Sequence, residues 1–442
     1  MAESGGQRLS IFLHTLLGLL LVIALPATWA SAQPSADARP LLAHVPELER
    51  NLRDNVVPFW FPRAVDRENG GYLIHFDPDG QPLPGGTKMI VSQARTLWLA
   101  SRLLRSNYAA PGLRDAADHG FRFLRDRMWD RENGGFVWDV DRTATNVLNA
   151  NKHLYGQAFA LYALSEYYLA SGNSEALALA NRTFDVIDSR AYDKAFGGYR
   201  EFFAADWSTP AAGVNSPLGA PADMKLMNTH MHLMEAFTTY VRAGAPMRAR
   251  ERLAEMIAIE SLAVIRKGWS AGTDRHQRDW TPVLDPLPRV SYGHDVENVW
   301  LIVDALRALD QPTGPYHDLF RAMFDNAMRY GWDDKAGGFF EGGLPQQPAD
   351  RLAKIWWIQC EAMVGALTMY ELTGEARYAE IFARTWQFAN TVQTDWKGGE
   401  WFEAINPDGR PRRSNKATPW KAGYHNGRAL LESIERIQRL NR

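Results

Sequence analysis

The sequence has almost no cysteine and almost no net charge. Cys360 is the single thiol among 442 residues, which excludes an intramolecular disulfide and any metal site built from several thiolates. The 49 Lys and Arg residues balance 51 Asp and Glu residues, so no basic field exists to drive the counterion release on which nucleic-acid binding depends. With 46% hydrophobic and 23% charged residues, the chain has the composition of a globular protein, and a polynucleotide partner is not expected.

Long hydrophobic runs are also scarce, apart from one at the N-terminus. Arg8 precedes an apolar stretch from Ile11 to Leu25, and Ala30-Ser31-Ala32 has the small-x-small pattern that a signal peptidase cleaves. The stretch is shorter than the roughly 20 residues that span a bilayer. We therefore expect residues 1–32 to be a signal peptide cleaved after Ala32, in preference to a retained membrane anchor, and the protein to be periplasmic or secreted. Residues 33–40 would form a flexible tether, with no stable membrane insertion after cleavage.

Glycine pairs recur along the remaining chain at a nearly constant interval. They stand at positions 70, 134, 197, 337 and 398, and each follows an aspartate by a few residues: Asp66, Asp130, Asp193, Asp333 and Asp395. The gaps are 64, 63, 140 and 61 residues, and a degenerate copy, Trp269-Ser270-Ala271-Gly272, divides the long gap. The spacing predicts six repeated units, which stack because no single unit can bury its own apolar face.

Each unit has room for two helices, since apolar residues recur at three- and four-residue spacing between the glycine pairs. The first helix of a unit is apolar on nearly all sides and the second, such as residues 175–188, carries a narrower stripe, which is typical of a buried helix with an outer partner. Predicted inner helices cover 88–107, 152–170, 224–243, 291–309, 354–373 and 423–440. A helix from Leu41 to Trp60 supplies the twelfth member. The sequence therefore predicts an all-α protein with one (α/α)6-barrel domain over residues 41–442.

Several polar and charged residues lie in the first turns of these inner helices, where their burial costs free energy unless they are paired or used in a site. Equivalent helix ends meet at one mouth of such a barrel, where helix N-termini also favour an anion. The residues predicted to converge there are Arg95, Asn228, His232, His294, Glu297, Glu361 and His425, together with Trp356, Trp357 and Trp420.

Helix geometry refines this set. Asn228 and His232 share one helix face, as do His294 and Glu297, so Glu297 is expected to orient or charge-stabilise His294. His230 points about 200° away from His232 and is interpreted as structural. The diverging rings of these two histidines also weaken a metal-site interpretation. A metal bound by His232, His294, His425 and Glu297 is chemically possible, but we expect none.

Five sequence runs resemble motifs of the N-acylglucosamine 2-epimerase superfamily, and within it most closely those of the cellobiose 2-epimerases. They are Lys152 to Gln157, Asn228 to Ala236, Gly293 to Glu297, Trp356 to Ala362 and Trp420 to Arg428. The resemblance spans nearly all of the chain after the signal peptide. It implies an (α/α)6 barrel that inverts C2 of a reducing-end aldose without a metal or redox cofactor.

The resemblance also implies roles for individual residues. His294 and His425 look like the acid/base pair, His232 and Glu297 like supporting or ring-opening residues, and Arg95 like the group that holds the sugar oxygens. The expected sugar contacts are Asn228, Tyr155, Trp356, Trp357, Glu361 and Trp420. The chain departs from the usual cellobiose epimerase pattern at Ala422-Gly423 and at Asn298-Val299. His-Asn-Gly-Arg at 425–428 argues against the N-acylglucosamine branch.

Chemistry supports the same residues, because inverting C2 requires ring opening, removal of the proton next to the carbonyl, and return of a proton to the opposite face. Two imidazoles can do this at neutral pH, and a guanidinium such as Arg95 can stabilise the enediolate. Proton return to C1 would instead give an aldose–ketose isomerase. The competing hypotheses are an inverting glycosidase using Glu235, Glu297 or Glu361 and a sugar-binding protein. The sequence leaves the natural sugar and the choice between monomer and homodimer open.

Overall fold

A computed structural model describes residues 37–211 and 213–442. The predicted signal peptide and the first part of the predicted tether lie outside these residues. The first turn, a 3-10 turn at Arg39–His44, begins two residues before the predicted domain start. Within the described residues, no helix is both long enough and apolar enough to cross a membrane.

Six long helices form a closed inner ring. Each packs against the next in sequence, and the last packs against the first. Most of their residues are buried on every side, as the sequence pattern predicts. They are α3 (Ile90–Leu104), α5 (Leu154–Ser171), α7 (Met227–Arg242), α9 (Tyr292–Ala308), α11 (Trp356–Thr373) and α13 (Tyr424–Leu440).

An outer ring packs around these helices, one member against each. Its members are α1 (Val45–Asn51) with α2 (Val57–Trp60), α4 (Leu113–Phe123), α6 (Ser174–Arg190), α8 (Met247–Ala258), α10 (His317–Gly331) and α12 (Ala376–Phe388). Single π-helical turns occur at Leu52–Val56, Leu124–Met128, Ile259–Ala263 and Ala389–Gln393. The predicted helix over 41–60 is therefore present as a chain of short helical segments, and it packs against α13 to complete the sixth pair. The predicted (α/α)6 barrel is confirmed.

Short antiparallel strands connect the units. One sheet has three strands, β1 (Thr87–Met89), β2 (Asp139–Asp141) and β3 (Val147–Asn149), in that order. The others are pairs: β4 (Lys152–His153) with β5 (Phe202–Phe203), β6 (Lys225–Leu226) with β9 (Arg275–His276), β7 (Ile265–Arg266) with β8 (Ala271–Gly272), and β10 (Lys354–Ile355) with β11 (Ala404–Ile405). Several inner helices consequently begin two or three residues later than predicted, because the preceding residues pair as strands.

An anchor side chain in the first turn of each of five inner helices fixes that helix to the preceding turn of the chain. In α3, Gln93 Oε1 accepts a hydrogen bond of 2.8 Å from the Tyr72 amide, and Gln93 Nε2 donates to the Tyr72 carbonyl. Gly71 lies beside this contact with φ +65°, and a Cβ atom there would lie 2.6 Å from Gln93 Oε1. Glycine is therefore required both for the backbone conformation and for the close approach. The equivalent anchors are Gln157, His230, Asp295 and Gln359.

A buried lysine before five of the six inner helices explains the repeated aspartate. Lys88 Nζ, which is 2% exposed, lies 2.8 Å from Asp66 Oδ2, so the aspartate that opens the turn neutralises a lysine on the strand before α3. The same ion pair joins Lys152 to Asp130, Lys225 to Asp193, Lys354 to Asp333 and Lys416 to Asp395. Buried charges need such partners, so the pairs fix the distance between each turn and the next helix.

The fourth unit is degenerate in the structure as well as in the sequence. The Ser270 amide donates to the Arg266 carbonyl in the same way that Gly70 donates to Asp66, and Ser270 has φ +52°. Arg266 thus stands where the other units have aspartate. The anchor is Asp295, whose Oδ1 accepts a hydrogen bond of 2.8 Å from the Gly272 amide. Burial raises the pKa of Asp295 to about 8, so this anchor is a neutral acid at neutral pH.

The anchor of the third unit is a histidine, and this predicts an acid-sensitive contact. His230 Nε2 accepts a hydrogen bond from the Tyr199 amide, so the ring must stay neutral, and burial lowers its pKa to about 3. The unfolded chain takes up this proton below about pH 6.5, so the stability due to neutral His230 is complete above that pH and is lost as pH falls toward 3. In His230→Gln we expect unfolding midpoints to depend less steeply on pH between 6.5 and 4, by up to one proton.

Gln359→His is the matched converse, because it places an imidazole at an equivalent anchor. It should steepen the same pH dependence. Urea unfolding of the three proteins across this pH range checks both expectations, and identical slopes in wild type and His230→Gln would contradict the role of His230.

Candidate active site

Three buried carboxyl groups from three inner helices meet at one guanidinium. Arg428, on α13, is 2% exposed and contacts Glu235 of α7 directly. Its Nη2 atom lies 3.0 Å from Glu297 Oε1 of α9 and 2.7 Å from Glu361 Oε1 of α11. These four residues span nearly 200 positions of sequence, and they come together because every inner helix begins at the same end of the barrel.

Two of the carboxyl groups also bind a histidine. His232 Nδ1 lies 2.9 Å from Glu235 Oε2, and His425 Nδ1 lies 2.6 Å from Glu361 Oε1. An ionised carboxylate only accepts hydrogen bonds, so each Nδ1 carries the proton and each Nε2 keeps a free lone pair. The site therefore contains two oriented imidazole bases, which Arg428 joins through their carboxylate partners.

Two aromatic side chains complete the hydrogen bonding of these carboxylates. Trp300 Nε1 donates to Glu361 Oε2 over 3.0 Å, and the Tyr424 hydroxyl donates to Glu235 Oε1. The guanidinium carbon of Arg428 lies 4.7 Å from the centre of the Trp300 ring and 4.4 Å from that of Tyr424. The cation is thus in cation–π contact with two aromatic rings.

His294 has a different environment from the other two histidines. Its imidazole lies against the indole of Trp357, with ring centres 4.7 Å apart and an interplanar angle of 34°. The expected contact with Glu297 is absent among the described residues, because the Glu297 carboxyl is turned toward Arg428 instead. That part of the sequence interpretation is therefore wrong, and the stronger attraction of the carboxyl to a buried guanidinium explains it. The His425 ring lies 5.9 Å from the same indole, so both imidazoles border Trp357.

Arg95, on α3, borders the same group, with its guanidinium carbon 5.1 Å from the centre of the Tyr424 ring. Its Nη2 atom donates to the Tyr155 hydroxyl and its Nη1 atom to the Trp420 carbonyl, both over 3.0 Å. Its guanidinium carbon lies 4.2 Å from the centre of the Phe159 ring. The Tyr155 ring in turn lies 5.0 Å from His232. Trp420 is 40% exposed, which places an indole at the rim of the site.

The other candidate residues fall into two groups: some can face a ligand, and others only position neighbouring side chains. Asn228 lies one turn before His232, and its buried Oδ1 has no hydrogen-bond partner among the described residues. Trp356 is buried beside His425, at 6.2 Å between ring centres. Glu361 is fully buried with both oxygens bound by protein donors, so it positions His425 rather than presenting itself to a sugar. His230 points away to its anchor contact, as the sequence predicts.

Burial sets the protonation states of the histidines. It lowers the pKa of His294 to about 4, with a further lowering by His232. It also takes the pKa of His425 well below its usual range, and the charges of Arg95 and Arg428 act in the same direction. The pKa of His232 is lowered for the same reason, although Glu235 opposes the shift. All three imidazoles are therefore neutral at neutral pH and able to accept a proton.

The carboxyl groups do not form an open metal site. Glu297, Glu361 and His425 offer ligand atoms that lie within 4.8 Å of one another. Arg428 Nη2 already contacts both carboxyl groups, so a cation would have to displace a buried guanidinium. This donor set differs from the four-residue set considered from the sequence, since His294 and His232 do not belong to it.

Sequence reasoning left three contributors without a role: Arg428, Tyr424 and Trp300. A signal for the first was present, because Arg428 stands three residues after His425, as Glu297 stands three after His294. Arg95, His232, Glu297 and Glu361 each stand two residues after the anchor of their helix, and Arg428 lies within one position of the same place in α13. No sequence signal identifies Trp300 as a hydrogen-bond donor.

Removing the guanidinium should expose the mutual repulsion of the three carboxyl groups. Arg428→Met leaves buried carboxylates without their shared cation, and we expect a loss of about 3–5 kcal/mol in the free energy of unfolding. Arg439→Met is the control, because Arg439 is 51% exposed in its ion pair with Glu371 and should cost less than about 1 kcal/mol. Urea denaturation measures both losses. Equal losses would show that the ion pairs of Arg428 contribute no more to the free energy of unfolding than the exposed ion pair of Arg439.

Known proteins match this chain and this fold over nearly the whole length of the chain. Cellobiose 2-epimerase from Dictyoglomus turgidum is 31% identical over 395 residues, which cover 88% of this chain and 98% of that protein. The structure of cellobiose 2-epimerase from Spirochaeta thermophila DSM 6192 superposes with a TM-score of 0.83 at 34% identity, covering 92% of this chain and all of the other. D-mannose isomerase from Marinomonas mediterranea is 27% identical, with 91% of this chain and 99% of that protein covered.

A family model matches as well. The model described as N-acylglucosamine 2-epimerase matches residues 70–429, a range that contains every side chain of the site described above. The resemblance inferred from the five sequence motifs is thereby confirmed, and the chain belongs to the N-acylglucosamine 2-epimerase family.

Proposed function

We propose that the protein is a sugar epimerase that inverts C2 of a reducing-end aldose, converting glucose to mannose configuration in a disaccharide such as cellobiose or mannobiose. The observation that carries this proposal is the meeting of His294 and His425 at one indole, Trp357, with Arg95 nearby. Relatives named cellobiose 2-epimerase share about a third of the sequence. We expect the enzyme to work without a cofactor, and we expect the sugar substrate to be its binding partner.

The neutral imidazoles suit the two proton transfers at C2. One takes the C2 proton from the open-chain aldose, which leaves an enediolate, and the other returns a proton to the opposite face. His425 is the better oriented of the two, since Glu361 fixes its Nδ1 proton and leaves Nε2 for the substrate. His232 is held by Glu235 in the same way and serves as a supporting base.

Arg95 and the aromatic side chains suit the remaining demands of the reaction. The enediolate carries negative charge on O1, and a guanidinium held by Tyr155 and the Trp420 carbonyl is fixed in place before that charge develops. Trp357 and Trp420 offer indole faces for the apolar C–H surfaces of a pyranose ring. Asn228, with an unpaired buried oxygen, is a candidate acceptor for a sugar hydroxyl.

An aldose–ketose isomerase is the second candidate, and a relative named D-mannose isomerase favours keeping it. The two reactions share the enediolate and differ only in whether the proton returns to C2 or to C1. The glycosidase hypothesis is weaker, because Glu235 and Glu361 have their oxygens bound by protein donors and neither is placed to attack or protonate a glycosidic bond.

Deuterium exchange tests the proposed reaction. The purified protein is incubated in D2O with cellobiose, mannobiose, glucose, mannose or N-acetylglucosamine, and the products are examined by NMR. We expect deuterium at C2 with the glycosidic bond intact, and no change on adding EDTA. Deuterium at C1 of a ketose would identify the isomerase, and bond cleavage or no exchange with any aldose would overturn the proposal.

The histidine assignment has its own prediction. His294→Ala and His425→Ala should each lower C2 exchange by at least about 10²-fold, the usual contribution of a general acid or base. His119→Ala is the control, since His119 binds backbone carbonyls of the first glycine turn. Circular dichroism verifies folding, and near-normal exchange in either active-site variant would remove that histidine from the mechanism.

We also propose that the protein is exported and that its N-terminal 32 residues are removed. The support is the apolar stretch with the Ala30-Ser31-Ala32 pattern. Expression of the full chain in a bacterium with a periplasm should give a product whose first residue is Gln33, as read by mass spectrometry. A full-length product that fractionates with membranes would instead indicate a retained anchor.

A further inference from the structure

The turn of the sixth unit has a glutamate at the place where four other units have a glycine. The Asp395 amide donates to the Glu400 carbonyl in the same way that the Asp66 amide donates to the Gly71 carbonyl. Glu400 also keeps the left-handed conformation of that glycine, with φ +63° against +65° at Gly71. Residues other than glycine rarely adopt this conformation, and those that do cluster at functional sites. The strained backbone therefore points to a requirement for the carboxylate of Glu400.

The anchor residue of this unit changes together with the glycine. Asn426 stands five residues after Lys421, as Gln93 stands five after Lys88, so Asn426 holds the anchor position of α13. In the four units with glycine, a Cβ atom at that position would lie only 2.5–3.0 Å from the anchor side chain. The shorter asparagine leaves room for the side chain of Glu400, and Asn426 Nδ2 donates to Glu400 Oε1 over 2.9 Å. Glutamate and asparagine thus replace glycine and its longer anchor as a pair.

The Glu400 carboxylate joins both ends of the barrel. It is fully buried, and its Oε1 atom also accepts a hydrogen bond of 2.9 Å from Lys421 Nζ. Its Oε2 atom accepts from Trp60 Nε1 over 2.7 Å, and Trp60 belongs to α2 in the first outer segment. Gly423 permits this contact, because a Cβ atom there would lie 2.5 Å from Trp60 Nε1. The carboxylate therefore holds the start of the last inner helix against the first outer segment.

His425 is connected to this carboxylate by two paths. The first is the backbone of α13, because His425 directly precedes Asn426. The second is side-chain packing: Lys421 Nζ lies 5.5 Å from the centre of the Trp356 ring, and that ring lies 6.2 Å from the His425 ring. A rotation of α13 would move the imbalance of these contacts to His425 and lengthen its 2.6 Å bond to Glu361.

We propose that Glu400 is a positioning residue for His425. By binding Asn426 and Lys421, it sets the rotation of α13 at which the imidazole meets Glu361. Glu400 acts through these neighbours and does not contact a sugar, since it is fully buried beneath the first turn of α13. The position of the ring is a property of the folded protein, whereas the effect on turnover rests on the proposed epimerase function.

Nitrogen NMR of protein labelled with 15N-histidine tests the position of the ring without any turnover. In wild type at pH 7, Nδ1 of both His425 and His232 should carry the proton, because a carboxylate binds each of them. In Glu400→Gln we expect the two nitrogen signals of His425 to move toward each other, since its tautomer is no longer fixed. The signals of His232, on a different helix, should not move. Unchanged His425 signals in a folded variant would overturn the proposal.

Asp66→Asn is the matched control for a general loss of stability. It removes the carboxylate partner of Lys88, another buried lysine, next to α3, which contains neither histidine. The signals of both histidines should stay as in wild type, and an equal shift of His425 in both variants would overturn the proposal. Should Glu400→Gln not fold, the double variant Glu400→Gln/Lys421→Met also removes the unpartnered ammonium and should give the same shift.

Restoring the regular anchor tests the effect on C2 exchange with cellobiose in D2O. Glu400→Gly and Asn426→Gln should each lower exchange by about 10²-fold, the loss that a misplacement of about 1 Å produces. The double variant recreates the pair found at Gly71 and Gln93, so adding Asn426→Gln to Glu400→Gly should raise exchange by at least about tenfold. The loss of the Lys421 partner is common to these two proteins and cancels in the comparison.

The outcomes separate this proposal from the epimerase function. Normal exchange in Glu400→Gly, or a double variant no better than Glu400→Gly, overturns the positioning role even if wild type inverts C2. A wild type without C2 exchange overturns the epimerase function, and the nitrogen signals of His425 then still confirm or contradict the role of Glu400.

Discussion

One hydrogen bond, repeated in five of the six units, sets the rotation of the inner helices that carry most of the site. It joins a side chain in the first turn of an inner helix to the backbone amide that follows the glycine turn of its unit, over 2.8 or 2.9 Å. Because the anchor fixes the rotation of the helix, the residue two positions later faces the axis. Arg95, His232, Glu297 and Glu361 all hold that position. A shift of one residue would turn each of them by about 100°.

The anchors bring three carboxyl groups together around one guanidinium, and this arrangement determines the hydrogen bonding of the site. Arg428 binds three carboxyl groups at once, so the anions compete for one cation. Two of them gain extra donors and hold histidines in a defined tautomer, while the third, Glu297, has Arg428 as its one hydrogen-bond donor among the described residues. The same burial that disfavours charge leaves the imidazoles neutral. A single cluster therefore orients two imidazoles through hydrogen bonds to carboxylates and keeps them neutral through burial.

The sequence predicted the barrel and its inner helices to within a few residues, because apolar spacing and the glycine turns are local signals. It also predicted that His232, His294, His425 and Arg95 meet, since their places in the repeat are equivalent. It did not predict that Glu297 binds Arg428 in place of His294. The two are separated by 131 residues, whereas His294 is three residues away, and helix periodicity reports only the nearer neighbour. The partners of Tyr424 and Trp300 were missed for the same reason.

The pairing of the first outer segment with the last inner helix has a consequence for synthesis. α13 follows all the other helices in the sequence, and it contributes His425, Tyr424 and Arg428 to the centre of the barrel. Until α13 emerges and packs against α1, the carboxyl groups of α7, α9 and α11 have no shared cation and one histidine is missing. The cluster of carboxyl groups, histidines and guanidinium is therefore complete only when the last inner helix has closed the ring.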